Sequence, residues 1–473
     1  MRVRDVNSKR GLLRTTYQNK SSVKNLLPQL TADDPKVYCP TNSKVVSCFF
    51  TGDFRRNNVS PALNTMHTVW VREHNRIALA LRGMNTKWDD EKIFQETRKI
   101  IGAQMQQISY NEYLPTILSQ QMRNDYHLDL NDYQGYKVDV DPSIFNSFAA
   151  AALRFGHSTI GNTYIRPGHF DVPVDHFHDP TALYNLECGG IDGILKGLLE
   201  QSARKIDRYF SGSVTERLKP APGVLGDLVA INIQRGRDHG LPPYVKFREK
   251  YGVHDYIPDN FMRELEMLYD DIKNVDLFVG GLMENSEYDA HLGRTFSHIL
   301  AEGFSNLMHG DRFWYQNDPH FTPEQLNEIK KASLAKIVCE NSDGIVQIQP
   351  KAMLKADTGL NVKVNCNNLP FLDLFKWKDL VSAVQSNAPL NPSVSEPVRR
   401  TTLFQQNNNT QEQTSENKSP SQDSVQDAAA LKDVKAETSL ENILTGLKGK
   451  RQMVEKSAVA RETADAIESS ADV

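Results

Sequence analysis

The stretch that decides the fold reads MHTVWVREHNRIALAL and covers residues 66–81. Its apolar residues include Trp70, Ile77 and Leu81, which recur at the spacing of one face of an α-helix. Gly83 and Asn85 follow, and residues of these two types commonly end helices. The sequence therefore predicts a long amphipathic helix that ends near residue 85.

The same stretch carries two histidines and a charged run. His67 and His74 are seven positions apart, which places them ~10 Å from one another along a helix axis and excludes a shared metal ion. We therefore expect the polar residues of this helix to form buried contacts that brace neighbouring helices.

Further apolar segments at helical spacing follow, and few stretches alternate with the period of a strand. The fold class predicted is therefore mainly α. The predicted helices cover residues 93–118 (two helices joined at 109–112), 145–153, 190–199 and 272–282.

The composition changes near residue 385 of the 473. Residues 405–427 are rich in Gln, Asn, Ser and Thr, and such a segment buries too little apolar surface to offset the entropy of ordering. Residues 428–473 are rich in Ala, Glu and Lys. We predict a folded domain over residues 1–385 and a disordered tail with short helices over residues 386–473.

The charge balance excludes some classes of partner. The 55 basic and 59 acidic residues give a formal charge of −4, so the composition favours neither nucleic acid nor an anionic membrane surface. No apolar run reaches the ~18 residues that a membrane-spanning helix needs. The first ten residues lack the apolar core of a secretory signal peptide.

The five cysteines allow two interpretations. Cys39 and Cys48 bracket a short loop, Cys339 and Cys366 bracket a longer one, and Cys188 stands apart. This spacing is compatible with two disulfides in an oxidising compartment, or with five reduced thiols in the cytosol.

Candidate site residues lie in two segments. His157 follows an apolar helix, where a histidine is usually a core residue but can also be the axial ligand of a haem iron. Asn232 could hydrogen-bond a metal-bound imidazole, and Arg235 could hold a carboxylate, although charged turns are more often structural. His176 and His178 could bind a metal ion or simply be exposed.

Taken together, these segments resemble the animal haem peroxidase family. The resemblance runs in family order over about residues 11–380, and three of its motifs are specific in combination: REHNR (72–76), RFGH (154–157) and RGRDHGLP (235–242). Other matching stretches are residues 66–68, 97–103, 113–115, 145–146, 189–192, 232–234, 280–282 and 310–315.

The resemblance implies a helical domain around a b-type haem that oxidises a substrate with hydrogen peroxide. His157 matches the proximal iron ligand, and Asn232 matches the residue that hydrogen-bonds it. Arg154 and Arg235 match residues near the haem propionates. The disulfides of the family fall at Cys39/Cys48 and Cys339/Cys366, and the family is secreted.

On the distal side, the resemblance assigns the catalytic arginine to Arg56, with Arg55 as the alternative because the family spacing is one residue shorter. The distal histidine of the family has no counterpart here, since no histidine precedes His67. The calcium loop is also missing from this sequence. Val59 and Ser60 stand where some members form covalent haem links, so none is expected.

Three functions compete. The first is a haem peroxidase acting on hydrogen peroxide and an unidentified reducing substrate, impaired in this chain because the distal histidine is absent. The second is a catalytically inactive adhesion or scaffold protein of the peroxinectin kind. The third is a cytosolic helical protein whose tail recruits partners, which would require reduced cysteines and no haem.

Overall fold

The computed structural model describes residues 4–5, 7–18, 23–30, 39, 47–49, 54–221, 224–254, 257–317 and 319–379. The chain divides into two units, Met1–Leu380 and Val381–Val473. The boundary predicted near residue 385 and the predicted disordered tail, residues 386–473, lie outside the described residues and stay predictions.

Helices dominate the described part of the chain, as the sequence predicts. They are α1 (Phe54–Asn57), α2 (Pro61–Met84), α3 (Asp90–Ile108), α4 (Leu114–Ile117), α5 (Gln120–Asp125), α6 (Asn146–Ala150), α7 (Thr181–Tyr184), α8 (Gly190–Glu200), α9 (Gly212–Thr215), α10 (Leu228–Asp238), α11 (Tyr244–Tyr251), α12 (Asp259–Tyr269), α13 (Leu277–Met283), α14 (Arg294–Gly310), α15 (Pro323–Ile329) and α16 (Leu334–Asn341).

Within the described residues, strands form only short antiparallel pairs. Thr163 of β1 pairs with Pro173 of β2, and Ile348 of β5 pairs with Val364 of β6. The strands are β1 (Thr163–Arg166), β2 (His169–Pro173), β3 (Leu218–Ala221), β4 (Val224–Gly226), β5 (Gln347–Ile348) and β6 (Val364–Asn365).

Helix α2 is the helix that the opening stretch of sequence predicts. The Ser60 hydroxyl accepts a hydrogen bond from the Leu63 N–H, and Pro61 occupies the first turn, so the helix begins with a cap and a residue already set to helical φ. At its other end, the Asn85 N–H donates to the Leu81 carbonyl. The predicted end near residue 85 is confirmed.

The buried carboxylate of Glu73 joins three helices. Its side chain is 1% exposed. It accepts hydrogen bonds from Nε and Nη2 of Arg76 at 2.8 and 2.9 Å, from Gln104 of α3 at 3.1 Å and from Asn341 of α16 at 2.8 Å. Burial alone would raise the pKa of Glu73, but these hydrogen bonds and the charge of Arg76 lower it instead. The predicted bracing role of the polar residues is confirmed.

The neighbouring Arg72 joins distant parts of the chain. Its guanidinium donates to the carbonyls of Lys24, Asn25 and Asn341 at 2.9, 2.8 and 2.7 Å. The side chain is buried, and Asp343 lies 3.2 Å from Nη1. Residues 24 and 25 are thereby fixed to the end of α16.

Two predicted helices are shorter than expected. In residues 145–153, α6 ends at Ala150, and Ala151 adopts φ −132°, ψ −71° before a 3-10 helix spans Ala152–His157. In residues 272–282, α13 starts only at Leu277, because the Val275 carbonyl accepts a hydrogen bond from the Tyr244 N–H of α11 at 2.8 Å. Both breaks occur where a tertiary contact or turn replaces a helical hydrogen bond. The junction predicted at residues 109–112 is a π-helical turn, Ser109–Tyr113.

The close packing of α8 on β1 leads to a first prediction. A Cβ atom on Gly197 would lie 1.9 Å from the backbone carbonyl oxygen of Ile165. Gly197→Ala is therefore expected to lower the free energy of unfolding by about 1–3 kcal/mol through overpacking. The matched control is Gly102→Ala on the exposed side of α3, where a Cβ meets nothing within 4 Å and is expected to add about 0.5–1 kcal/mol. Urea unfolding of wild type and the two variants measures whether each substitution lowers or raises the free energy of unfolding. Equal free energies of unfolding for the two variants would contradict the packing argument.

Two disulfides join the cysteines that the family resemblance pairs. Cys39 is bonded to Cys48, and Cys339 to Cys366, with Cα–Cα distances of 5.9 and 5.7 Å. Cys188 is a free thiol. The interpretation with five reduced cysteines is therefore wrong. Among the helices described, none has the length and apolar character needed to cross a bilayer.

Candidate functional site

One half of the candidate site is the 3-10 helix Ala152–His157. Arg154 and His157 lie three residues apart on it, and residues with this spacing share one face of a 3-10 helix. The Arg154 N–H donates to the Ala151 carbonyl at 3.0 Å, and the Arg154 Nε donates to the Ala149 carbonyl at 3.1 Å. These bonds fix the guanidinium on the side of the turn that carries His157.

The other half is helix α10. The carboxylate of Asp227 caps it by accepting hydrogen bonds from the N–H groups of Val229 and Ala230 at 2.7 and 3.1 Å. Asn232 and Arg235 are again three residues apart, so both lie on the same side of the helix. Asn232 is completely buried, and Arg235 is half-buried.

A chain of two hydrogen bonds links the halves. Nη1 of Arg154 donates to Oδ1 of Asn232 at 2.8 Å, and Nδ2 of Asn232 lies 2.9 Å from Nδ1 of His157. An amide nitrogen can only donate, so Nδ1 of His157 accepts. Within the described residues, Nε2 of His157 has no hydrogen-bond partner.

The burial and the positive charges of the site favour the neutral form of the His157 imidazole and the binding of an anion. Burial, and then the charge of Arg154, lower the pKa of His157 to about 4. Burial also lowers the pKa of Arg154, and the charges of Arg235 and Arg56 lower it further. The charges of two guanidinium groups therefore act unfavourably on the guanidinium of Arg154, and an anion bound beside Arg154 would relieve that repulsion.

The pKa of His157 gives a second prediction. In the haem-free protein, its ring proton signals are expected to titrate with a midpoint near pH 4. Replacing Arg154 with methionine removes a cation that disfavours the imidazolium, so the midpoint should rise. Nuclear magnetic resonance of the histidine C2 protons measures both values. An unchanged midpoint in the Arg154 variant would show that the charge of Arg154 does not lower the pKa of His157.

The predicted distal arginine lies on α1. Arg56 is exposed, and its charge reaches Arg154. The side chain of the alternative, Arg55, lies outside the described residues. The turn after α1 is anchored by Asn58, whose side chain exchanges two hydrogen bonds, at 2.9 and 2.7 Å, with the backbone of Phe49. Arg56 and its alternative Arg55 therefore both stay predictions.

The other histidine pair of the sequence analysis does not join the site. His176 is exposed, and Nε2 of His178 lies 3.2 Å from the Lys219 carbonyl. Among the described residues, no group of three His, Cys, Asp or Glu side chains could hold a metal ion.

Sequence reasoning missed the bond from Arg154 to Asn232. It assigned Arg154 only to the neighbourhood of the propionates, whereas here the guanidinium also contacts the residue that holds His157. The only signal was the three-residue spacing of Arg154 and His157 on one turn.

The residues present fit a haem. The neutral imidazole of His157 would supply a nitrogen ligand to the iron, and Arg154 and Arg235 would supply positive charge for the two carboxylates of the porphyrin.

Comparisons with known proteins identify the family. A family model described as animal haem peroxidase matches residues 1–353. A peroxidasin homologue of Caenorhabditis elegans is 37% identical over 417 residues, which cover 82% of this chain and 30% of that protein. A peroxidasin homologue of Homo sapiens is 38% identical over 411 residues, covering 82% and 27%. The chain thus spans less than a third of either relative.

Solved structures agree as well. Peroxidase A from Dictyostelium discoideum superimposes with a TM-score of 0.62 at 28% identity, covering 74% of this chain and 67% of that one. A fatty acid α-dioxygenase of Arabidopsis thaliana, at 16% identity and a TM-score of 0.54, shares the fold.

Proposed function

Because the chain belongs to the animal haem peroxidase family, we propose that it binds a b-type haem through His157 and oxidises a reducing substrate with hydrogen peroxide. The observation that carries the proposal is the half-buried His157, whose Nδ1 is held by Asn232 and whose Nε2 has no partner among the described residues. The similarity to peroxidasins and to a solved peroxidase supports the reaction class.

Each site residue has a proposed role in holding the cofactor. His157 coordinates the iron, and Asn232 fixes the orientation of the imidazole ring. Arg154 and Arg235 bind the carboxylates of the porphyrin, because a guanidinium forms charge-assisted hydrogen bonds with a carboxylate. The haem, when bound, supplies the iron redox chemistry that reduces the peroxide.

Arg56 is proposed to act on the peroxide itself. A fixed cation beside the peroxide stabilises negative charge on the departing oxygen, and such preorganised charge is a large contribution in many enzymes. Its exposed position leaves it accessible to a small, water-soluble oxidant.

The chain alone is proposed to turn over slowly. No histidine precedes His67, so this sequence lacks the group that moves the peroxide proton in the family. General acid–base catalysis is worth about 10²–10⁴-fold, which sets the size of the expected deficit. A hindered imidazole that does not bind iron should restore part of the rate.

An extracellular location is also proposed. The two disulfides are the kind of cross-link that persists in oxidising compartments and is rare in the cytosol.

The test is peroxide-dependent oxidation of a phenol by the full chain reconstituted with haemin. We expect a slow rate that is lost in His157→Ala and kept in His176→Ala, since His176 is exposed and outside the site. Equal rates in all three proteins would show that the oxidation comes from free haem and not from a haem bound at His157. Haem binding without any turnover, even with added imidazole, would favour the inactive adhesion or scaffold protein.

A further inference from the structure

The hydrogen bond from Arg154 to Asn232 fixes which way the Asn232 amide points. Because Oδ1 accepts from Arg154 at 2.8 Å, the NH₂ group is directed at Nδ1 of His157, 2.9 Å away. A guanidinium has donors only, so the amide cannot turn over while Arg154 stays in place without bringing two donors together.

This orientation has a consequence for the imidazole. A neutral histidine carries one proton, and Nδ1 cannot both accept from Asn232 and carry it. The proton therefore lies on Nε2. Iron coordination needs the lone pair of Nε2, so a neutral ring held in this hydrogen-bonding arrangement cannot bind iron through that atom.

Coordination requires the proton to be on Nδ1, where an oxygen must accept it. Asn232 supplies that oxygen only if its amide turns over, and this requires Arg154 to leave Oδ1. Asn232 is completely buried, and its hydrogen bonds within the described residues go to these two side chains, so no other group there holds the amide.

The positive charges around Arg154 indicate which kind of ligand could move its guanidinium away from Asn232. The charges of Arg235 and Arg56 act on Arg154 unfavourably, so a carboxylate arriving among the three would attract the guanidinium.

We propose that Arg154 is a positioning residue that decides which nitrogen of His157 is available, and that a carboxylate of the haem frees Nε2 by drawing Arg154 off Asn232. The amide then turns over, one proton leaves Nε2 to water and another reaches Nδ1 from water, so the net charge of the ring is unchanged. The inference rests on the proposed function, since it takes haem as the ligand.

The first test uses the haem-free full chain, labelled with ¹⁵N in histidine, at pH 7.5. Long-range ¹H–¹⁵N correlations distinguish the two neutral forms of the ring, and His157→Ala identifies the signal. We expect the Nε2–H form in wild type. A wild-type ring already in the Nδ1–H form would overturn the proposal whether or not the protein binds haem.

Two variants make this test specific. In Asn232→Asp, the carboxylate accepts from both Arg154 and Nδ1–H, so the ring should change to the Nδ1–H form with Arg154 in place. In Arg154→Met, the amide is free to turn, so the Nδ1–H share should rise. If neither variant moves the ring from its wild-type form, Arg154 does not control it. Circular dichroism checks that both variants fold.

The second test uses ferric haemin and its dimethyl ester, which lacks free carboxylates. Stopped-flow absorption follows ligation of the iron. In wild type, the ester should ligate about tenfold more slowly than haemin, because one buried hydrogen bond must break without a replacement. In Asn232→Asp, the ester should ligate about tenfold faster than in wild type.

The outcomes separate this inference from the proposed function. An Asn232→Asp protein that ligates the ester no faster than wild type would show that the ring form does not limit ligation. Haemin ligation in wild type that is lost in His157→Ala would leave the proposed function standing in that case. No ligation in any protein would end the proposed function, while the haem-free spectra still decide the role of Arg154.

Discussion

The His157→Ala variant of this 473-residue chain, mixed with haemin, is expected to give no sharp Soret band, whereas wild type is expected to give one. The substitution removes the imidazole that we propose as the iron ligand. The loss should exceed that of Asn232→Ala, because removing a group that orients a metal ligand typically costs about 10–100-fold in affinity. Absorption titrations of the three proteins measure this order.

The control for that experiment is His176→Ala. His176 is exposed and lies away from the 3-10 helix, so its loss should leave haem affinity unchanged. A Soret band that survives in His157→Ala but falls in the control would place the iron elsewhere. An intact band in all variants would identify non-specific haem adsorption.

The largest expected effect on stability comes from Glu73→Ala. The carboxylate is buried and accepts hydrogen bonds from Arg76, Gln104 and Asn341. Its removal takes this acceptor from Arg76 and Gln104, while Asn341 keeps its bond to the Ile337 carbonyl. Breaking a fully buried ion pair by removing one partner costs about 3–5 kcal/mol. Because the Arg76 side chain is 33% exposed and stays partly hydrated, the expected cost lies near or below the lower end of that range. Urea unfolding, followed by the far-ultraviolet circular dichroism of the helices, measures the change in the free energy of unfolding.

Glu73→Gln is the matched variant, since it keeps the shape and one acceptor oxygen but no charge. Because the folded pKa of Glu73 is lowered, its contribution is fully present above the unfolded pKa of about 4.3 and is lost as the pH falls through the folded value. The stability gap between wild type and Glu73→Gln should therefore narrow in acid. A gap that widens as the pH falls would contradict the sign of the shift.

Local sequence predicts those parts of the fold that local interactions determine. Helix α2 carries its own apolar periodicity, and the residues that end it near Asn85 lie next to it in the sequence, so this end follows from local sequence. Its start at Pro61 was seen only in the structure. The end of α6 at Ala150 and the late start of α13 carry no such signal. The late start of α13 depends on the hydrogen bond from the Tyr244 N–H to the Val275 carbonyl. These two residues are 31 positions apart in the chain, and no local pattern predicts that they meet.

The candidate site divides in the same way. The family resemblance assigns His157, Asn232, Arg154 and Arg235 by motif, and the structure brings the first three into one hydrogen-bonded chain. The motifs do not predict which way the Asn232 amide points. That direction depends on how α10 packs beside a turn 78 residues earlier in the sequence, so it follows from the fold and not from either motif.

The contacts of Arg72 also constrain the order of events during synthesis. One of the carbonyls that this guanidinium binds belongs to Asn341, 269 residues further along the chain. At ~5–20 residues per second, a ribosome needs roughly 13–54 s to make that distance. During that interval, Arg72 cannot complete its contacts, and the part of the core around it stays open. This part of the core, which also contains Val69 of α2 and Ile337 and Val338 of α16, can therefore close only after α16 has been made.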